Sequence, residues 1–493
     1  MRIHGRDNNE KRRGAFVLLT VLVVVAFLAL AAYRYNDLMT AEYLATAGSH
    51  RAAQARVLAE SGIYVAMRNL SAGEAIPDGP REVSLDPQSG ALTGSYEIVM
   101  FDEESSRWSL NGLMDQDSKG DALRKVLEKA QSYVPELNTT VISAIIDWLD
   151  EDDELSEEGA ENAYYMALET PYRCKNGPLD SLDELLMVRG VTQEMLDGSG
   201  TATGLRALFT ANGRQVNYDP IDTEIIHLNS LDLATLETKL DSAFNNKLLT
   251  QFILAYRLYG GSSSSSSRGG SGGGGAPNIA AIAGALDPSA MDKIQEQISK
   301  DKQPNFFRRL KRVNSIFDLA GSGVTVSYQD GRTKKSVTVP SPLSDPSVAY
   351  DLLPQLFALL STAPDPESSE QIEQPARLNV NTAPAAVLAL IPDLEEADIQ
   401  QILGNQPAGD DVSGASPAWL FTKAQIAPSK LAKVEKYLTT HPTAVRVQVA
   451  ARVKGAKSAA LMEGTIDLGG PRPRLTSLRD LSDQASTLLP QAP

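Results

Sequence analysis

The amino-acid sequence predicts an α+β fold in which one long N-terminal helix packs on a small antiparallel sheet, and a large, mostly helical insertion interrupts that sheet. Three observations support this prediction. An apolar run at residues 15–32 continues with helical spacing to about residue 70. Strand-like stretches lie near both ends of the chain, at 83–110 and 445–466. The 493-residue chain is rich in helical patterns between them, so the two strand regions are expected to meet in space.

The apolar run has the composition of a membrane-spanning helix. From Ala15 to Ala32 its only polar side chain is Thr20, and a span needs about 20 apolar residues. Basic residues at 11–13 precede the run, which predicts a cytoplasmic N-terminus and a single pass. A secretory signal peptide cut near Ala32 and a plain membrane anchor are the alternative interpretations.

The same helix is predicted to continue into water. Apolar residues such as Leu44, Leu58 and Val65 recur at helical spacing, with polar residues such as Arg51 between them. The first cluster of helix-breaking residues is at 71–73. One helix is therefore expected to be embedded in lipid along its first half and to carry a globular head on its second half.

Short strands are predicted on both sides of the helical insertion. The first group comprises Val83–Leu85, Tyr96–Phe101 and Trp108–Leu110. Near the C-terminus, apolar and polar residues alternate over 445–454, which indicates a half-buried strand, and a second strand at 461–466 completes a hairpin.

Composition excludes several classes of function. The net charge of −16 disfavours a nucleic-acid surface, because phosphate binding needs clustered basic residues. Cys174 is the only cysteine, so no disulfide forms within the chain, and its expected role is that of a small buried apolar residue. The Gly-rich tract at 260–275 lacks the ending of a phosphate-binding loop and reads as a flexible linker. No catalytic signature is present in the sequence, so the protein is predicted not to be an enzyme.

A run of carboxylates at the end of a predicted helix is the candidate cofactor site. Calcium takes about six to eight oxygen ligands, and no Lys or Arg lies between Val141 and Tyr172 to neutralise the run. The alternative is a solvated acidic helix end without a metal, and the sequence lacks the EF-hand pattern. Both interpretations stay open from the sequence. The candidate calcium ligands are Asp147, Asp150, Asp152, Asp153, Asp180 and Asp183.

The N-terminus resembles a type IV prepilin or pseudopilin signal, with a basic leader, a junction at Gly14 and Ala15, and an apolar helix after it. Further motifs narrow the resemblance to the minor pseudopilin K family of type II secretion. They occur in the family's order at Ile145–Asp150, Tyr164–Tyr165, Asn176–Leu185, Gly190–Thr192 and Leu378–Leu388.

The resemblance implies a type IV pilin-like fold with helix-hairpin-helix or SAM-like units in the insertion. The predicted domains are a leader at 1–14, a helix at 15–70, the first part of the sheet at 71–112, the helical insertion at 113–440, and C-terminal strands at 441–493.

The resemblance also implies a function in protein secretion. A prepilin peptidase would remove the leader and methylate the new N-terminus, leaving the protein in the inner membrane with its bulk in the periplasm. Members of this family join other minor pseudopilins and the major pseudopilin at the tip of a short filament, on an inner-membrane secretion platform. Major pseudopilins carry Glu at the fifth mature position, which here is Leu19 or Thr20, depending on the bond that is cut. The missing glutamate is therefore expected to suit a subunit at the tip.

The segment 378–388 also resembles the start of helix-hairpin-helix modules, including those of membrane-tethered DNA receptors in competence or pilus systems. Such modules bind phosphate through a glycine-containing hairpin. Here the hairpin at 392–396 has no glycine and carries three carboxylates, which would repel phosphate. A packing role is therefore preferred, in which Asn379 and Asn381 satisfy backbone groups.

Overall fold

The computed structural model describes residues 7–85, 93–116, 119–200, 202–213, 215–216, 225–262, 310–321, 323–330, 333–363, 373–408, 411–455, 459–470 and 472–485. Most of the predicted Ser/Gly tract, from 263 to 275, therefore lies outside the described residues. The chain forms two compact units. One comprises the described parts of 1–101, 446–465 and 475–493, and the other those of 102–445 and 466–474.

The first unit is built on one N-terminal helix, Asp7–Ala72, which confirms the predicted long helix. At about 1.5 Å per residue its 66 residues extend for roughly 100 Å. The helix ends where Gly73 adopts a φ of +66°, a left-handed conformation that glycine adopts without steric cost. Within the described residues, one helix is long and apolar enough to cross a membrane.

The C-terminal part of this helix packs on a sheet. Its buried face consists of Ala55, Leu58, Ala59, Ile63 and Ala66, at the spacing of one helical stripe. The approach is close at Gly62, where an added Cβ would lie 2.6 Å from Val449 and 2.8 Å from Tyr96. In spatial order, the five strands of the sheet are Arg81–Ser84, Thr93–Glu103, Ala444–Val453, Ala460–Asp467 and Arg474–Asp480.

The predicted alternation over 445–454 is confirmed, since every second residue from Val445 to Val453 is buried. The strand prediction for Trp108–Leu110 is wrong in its partner and its end. Trp108–Ser109 pairs in parallel with Phe209–Thr210 inside the second unit, and a helix begins at Leu110. The side chain of Ser109 causes this ending, because it accepts a hydrogen bond from the backbone N–H of Gly112 and caps the helix.

The second unit contains three consecutive segments, each opened and closed by a pair of two-residue parallel strands. The first segment (108–211) pairs Trp108–Ser109 with Phe209–Thr210. The second segment (226–362) pairs Ile226–His227 with Leu360–Ser361, and the third segment (378–440) pairs Leu378–Asn379 with Leu438–Thr439.

Helices fill each of these segments. In the first they are Leu110–Met114, Asp121–Ala130, Thr139–Leu149, Asn162–Tyr165, Leu182–Met187, Gln193–Asp197 and Leu205–Leu208. In the second they are Leu233–Phe244, Lys247–Tyr259, Phe317–Gly321, Pro342–Ser344 and Pro346–Leu359. In the third they are Ala385–Leu388, Glu396–Asn405, Val412–Ala415, Trp419–Thr422, Pro428–Val434 and Glu435–Tyr437.

Short strands occur between and within these segments. Gly198–Ser199 pairs with Ala202–Thr203, and Gln215–Val216 pairs with Glu373–Gln374, both antiparallel. In the second segment, Gly323–Asp330 pairs with Thr333–Val339 and with Gly261–Ser262.

Two hydrophobic cores stabilise the second unit. One is formed almost entirely by the first and third segments, with Phe317 of the second segment, and contains residues such as Leu127, Ile145, Leu388 and Trp419. The other is formed almost entirely by the second segment, around residues such as Phe252. The observed architecture confirms the predicted α+β class, with a long apolar helix, a sheet closed by C-terminal strands, and a largely helical insertion.

Candidate metal centre

A group of three carboxylates lies at the end of the helix Thr139–Leu149. The helix is capped by Asn138, whose side chain accepts a hydrogen bond from the backbone N–H of Val141. Its apolar face is buried in the shared core, and this burial also places Asp147, near the C-terminal end, in the interior. Asp150 follows directly after the last helical residue, in an extended conformation.

The third carboxylate, Glu161, approaches from the loop that follows. One oxygen atom from each of Asp147, Asp150 and Glu161 lies within 4.8 Å of the others. Asp147 is fully buried and Glu161 is 5% exposed. In each of the three carboxylates one oxygen is buried without a hydrogen-bond partner among the described residues. Buried anionic oxygens without partners are costly, so this arrangement fits the binding of a hard cation.

A fourth buried side-chain oxygen without a hydrogen-bond partner belongs to Asn176, on one of the loops of the site. Its amide nitrogen donates to the carbonyl oxygen of Asp152 at 2.5 Å and to Asp153 Oδ1 at 3.1 Å, whereas its Oδ1 is buried and has no partner within the described structure. Asn176 has a φ of +44° and Glu158 has a φ of +64°, a conformation that is uncommon for residues with a side chain. Non-glycine residues in this conformation occur often at ligand sites.

Gly159 leaves space for the buried aspartate. A Cβ at this position would lie 2.0 Å from Asp147 Oδ2, so any larger residue would displace the carboxylate. The loop is also held from outside, because the guanidinium of Arg189 donates to the carbonyl oxygen of Gly159 at 3.0 Å. Below it, Trp148 and Tyr165 meet edge to face at 5.2 Å. An aromatic pair therefore lies next to the buried aspartate, since Trp148 follows Asp147 in the chain.

The electrostatics of the site reflect the crowding of negative charge. Burial, together with the nearby carboxylates of Asp152, Asp147, Glu161 and Asp153, raises the pKa of Asp150 to about 7. Burial also raises the pKa of Glu161. A cation would reverse this effect by favouring the ionised forms.

Asp150 also borders an open cavity of about 430 Å³, whose wall includes Leu149, Asp152, Asn111 and Pro178. Of the three carboxylates, Asp150 is the one that lines this cavity. Their oxygens, together with Asn176 Oδ1, could supply four of the about six to eight ligands that calcium takes.

The structure does not bring all six predicted ligands together. Asp147 and Asp150 belong to the group. Asp152 Oδ1 accepts from the backbone N–H of Glu154, and Asp153 Oδ1 accepts from the side chains of Asn162 and Asn176. Both lie on the loop next to the group.

Asp180 and Asp183 lie outside the group and form ion pairs instead. Lys175 Nζ is 2.8 Å from Asp180, and Arg206 Nη2 is 2.8 Å from Asp183. Glu161 was not among the predicted ligands. The signal that could have found it is the pair of small residues before it, Gly159–Ala160, which lets the chain return to the helix end.

Cys174 is buried beside this site, as expected. Its thiol lies 3.6 Å from the carbonyl oxygen of Asp147, and its backbone N–H donates to Asn162 Oδ1 at 2.9 Å. Burial raises the pKa of the thiol to about 12, so it stays protonated and unreactive.

The residues of the predicted leader junction lie within the N-terminal helix. The backbone of Gly14 and Ala15 is helical, and their side chains are outside the described part of the chain. Leu19 is 62% exposed. The hydroxyl of Thr20 donates to the carbonyl oxygen of Phe16 at 2.7 Å, which satisfies it within the helix. Neither residue is acidic, so the fifth mature position has no charge under either predicted cut.

The described residues form an N-terminal helix long and apolar enough to cross a membrane, which continues into a helix-on-sheet unit with a helical insertion before the last strands. This is the arrangement that the sequence predicts for a pseudopilin. Residues 106–198, which contain the three carboxylates, match the family model of the type II secretion system protein K. The type II secretion system protein K of Aeromonas hydrophila is 27% identical over 209 residues, which cover 38% of this chain. Residues 106–198 of the chain are thus similar to the type II secretion system protein K.

The matched part spans 61% of the length of the Aeromonas relative, so the similarity covers less than two thirds of that protein. Among solved structures, the crystal structure of the GspK-GspI-GspJ complex from the type 2 secretion system of enterotoxigenic Escherichia coli is similar at 14% identity. That likeness covers 88% of this chain and 98% of the other, with a TM-score of 0.36. These comparisons do not support the DNA-binding alternative.

Proposed function

We propose that this protein is a minor pseudopilin of a type II secretion system, acting at the tip of the pseudopilus to initiate the filament and to support the export of folded proteins. The observation that carries the proposal is the protein K match at 106–198, in a chain whose described residues include one helix long and apolar enough to cross a membrane. A strain that lacks the protein should retain its secreted proteins in the periplasm, and the full-length gene should restore export. Unchanged export in the deletion strain would refute the proposal.

The N-terminal helix is the part that assembles in the membrane. In this proposal a prepilin peptidase removes the leader at Gly14 or Ala15 and methylates the new N-terminus, with the inner membrane crossed once and the bulk of the chain in the periplasm. The mature N-terminus, identified by mass spectrometry together with its methylation, tests this step. An intact Met1 or a cut near Ala32 would contradict it.

Tip placement follows from the missing acid at the fifth position. A subunit with another above it benefits from a glutamate that pairs with the neighbour's terminal amine, whereas an uncharged residue is stable in lipid without a partner. Leu19→Glu or Thr20→Glu should therefore lower incorporation at the tip. Detection of the wild-type protein at repeated internal positions of the filament would exclude the proposed placement.

Its partners are other minor pseudopilins, the major pseudopilin and the inner-membrane platform. Within the first unit, an apolar groove of about 570 Å³ runs beside the helix and suits a partner's helix. The groove is lined by residues such as Val57, Leu58, Val65, Val83 and Tyr96, and Val57 is 63% exposed. Val57→Cys in a Cys174→Ser background, treated with a thiol-to-amine cross-linking reagent, should be linked to a lysine of another minor pseudopilin, whereas Arg68→Cys, on the polar part of the helix, should not.

The carboxylate group of the first segment would hold calcium as a structural ion. Asp147, Asp150 and Glu161 are the proposed ligands, with Asn176 as the neutral one. The ion would hold the loop 150–162 against the helix end. The centre supplies binding and no reacting group, so the protein is not proposed to be an enzyme.

A further inference from the structure

Three asparagines occupy equivalent positions in the three segments of the second unit, which we call the helical unit. Each lies two residues after the opening strand, which ends at Ser109, His227 or Asn379. Each donates from Nδ2 to the first carbonyl oxygen after the closing strand. These bonds are Asn111 to Ala211 O at 2.8 Å, Asn229 to Thr362 O at 2.6 Å, and Asn381 to Thr440 O at 3.2 Å.

The same three side chains each reach a second backbone carbonyl, from the middle of their own segment. Asn111 donates to Leu179 O at 2.9 Å, Asn229 to Val313 O at 2.9 Å, and Asn381 to Gly414 O at 2.8 Å. Each asparagine therefore connects three parts of its segment by hydrogen bonds. These are the opening strand, the residue in the middle of the segment (the middle crossing) and the closing strand.

The side-chain oxygen of each asparagine is also satisfied. It accepts from the backbone N–H of Leu179 in the first segment, and from the N–H of Val313 and the guanidinium of Arg257 in the second. In the third segment it accepts from the indole N–H of Trp419. This role accounts for Arg257, a buried arginine that also donates to the carbonyl oxygens of Lys311 and Ser230.

The chain between these points follows a similar plan. Between the asparagine and the middle crossing lie three helices in the first segment, two among the described residues of the second, and two in the third, and further helices lead to the closing strand. The first and third segments also share a turn, in which a residue with positive φ precedes an apolar residue and the next helix begins. The turn is Gly190–Val191 before the N-cap Thr192, and Gln425–Ile426 before the N-cap Ala427. In the second segment the hairpin at 323–339 stands in that place.

We propose that the helical unit is a threefold internal repeat and that Asn111, Asn229 and Asn381 are its closing device. A pair of two-residue strands supplies too few hydrogen bonds to hold a segment shut, whereas each asparagine adds bonds to two separate backbone carbonyls. Because the second segment has its own core, it opens separately, while the first and third open together through the core they share.

Loss of one asparagine leaves two backbone carbonyls without their donor, and the residues that carry them are buried except for Thr362. This loss corresponds to roughly a tenfold to hundredfold increase in opening. The test is hydrogen–deuterium exchange with mass spectrometry on the full-length protein in detergent. Asn229→Ala should raise exchange by this factor at Leu228 and Val313 and leave peptides from 108–211 and 378–440 unchanged. Asn111→Ala and Asn381→Ala should each raise exchange in both of those regions and leave 226–362 unchanged.

Asn405→Ala is the matched control, because Asn405 is also half-buried but donates to Gln401 O within its own helix. It should change exchange in no segment beyond that helix. If a variant does not fold, the wild type in low urea still tests the device, since amides of 226–362 should share an opening free energy distinct from that of the other two segments. A single opening free energy for all three segments, or Asn229→Ala acting like the control, would overturn the proposal.

Discussion

Glu161→Gln is predicted to change stability in opposite directions with and without calcium. The substitution keeps the size of the side chain and its acceptor for the backbone N–H of Asn162, and removes one of three charges that lie within 4.8 Å of one another. When a chelator removes calcium, the three carboxylates repel one another and destabilise the fold. When calcium is present, the same carboxylates bind the ion and stabilise it. A solvated acidic loop without a metal would not show this reversal.

The expected magnitudes follow from the geometry. Two unit charges about 4.8 Å apart interact by about 3 kcal/mol at an effective dielectric constant near 20. The carboxyl of Asp150, with a pKa of about 7, is about half protonated at neutral pH, so it contributes less repulsion than a full charge would. The variant should therefore be more stable than the wild type by up to about 3 kcal/mol in a chelator.

Calcium at about 100 times its dissociation constant should stabilise the wild type by about 2.7 kcal/mol. A variant that binds about tenfold more weakly should gain only about 1.4 kcal/mol at the same concentration.

Urea unfolding followed by tryptophan fluorescence measures this effect. All three tryptophans, Trp108, Trp148 and Trp419, lie in the helical unit, so the signal reports that unit alone. Glu157→Gln is the control, because it removes a charge from an exposed position of the same loop outside the group. Equal shifts for Glu161→Gln in calcium and in chelator, or no effect of calcium on the wild type, would refute a metal centre here.

Three further outcomes are expected. Gly159→Ala should abolish the calcium-dependent gain in stability, measured by the same unfolding assay, because its Cβ would displace the Asp147 carboxylate. Gln425→Gly should raise the free energy of unfolding by about 0.5 kcal/mol, since a left-handed conformation costs a residue with a side chain about 1–2 kcal/mol and the freedom of glycine in the unfolded chain offsets about half of it. Burial raises the pKa of Glu435 to about 7, so the native state binds more protons than the unfolded state between about pH 4.5 and 7. Wild-type stability relative to Glu435→Gln should therefore fall as the pH rises through this range, and a flat difference between the two in urea titrations would contradict it.

Local patterns in the sequence predicted the elements whose contacts are local. The N-terminal helix and the buried alternation over 445–453 follow from periodicity alone. Asp147 and Asp150 belong to the carboxylate group because they end a helix that the sequence also marks. Trp108 was assigned to the wrong sheet, since its partner strand lies about 100 residues further along the chain and a two-residue pair leaves no periodic signal.

Charge alone could not separate ligands from ion pairs. Asp180 and Asp183 look like further ligands in the sequence, but Lys175 and Arg206 reach them in the folded chain. Glu161 stands apart from the acidic run and joins it only because the loop doubles back at Gly159. The equivalence of the three asparagines was equally hidden, because the residues they bind are separated from them by between 33 and 133 positions.

The acidic loop occupies a slot that exists three times in this chain. In each segment the slot runs from the end of a helix to the middle residue that the asparagine fixes, namely Leu149 to Leu179, Tyr259 to Val313, and Asn405 to Gly414. Because both ends of each slot are pinned, its length and chemistry can vary without moving the helices on either side. The carboxylates occupy one such slot and the Ser/Gly tract another, whereas the third is only a short connection. The hydrogen bonds of the asparagines thus close each segment, whereas the slots between the pinned ends can differ in length and chemistry. We expect that a reporter peptide can be inserted in the short slot without disturbing the fold.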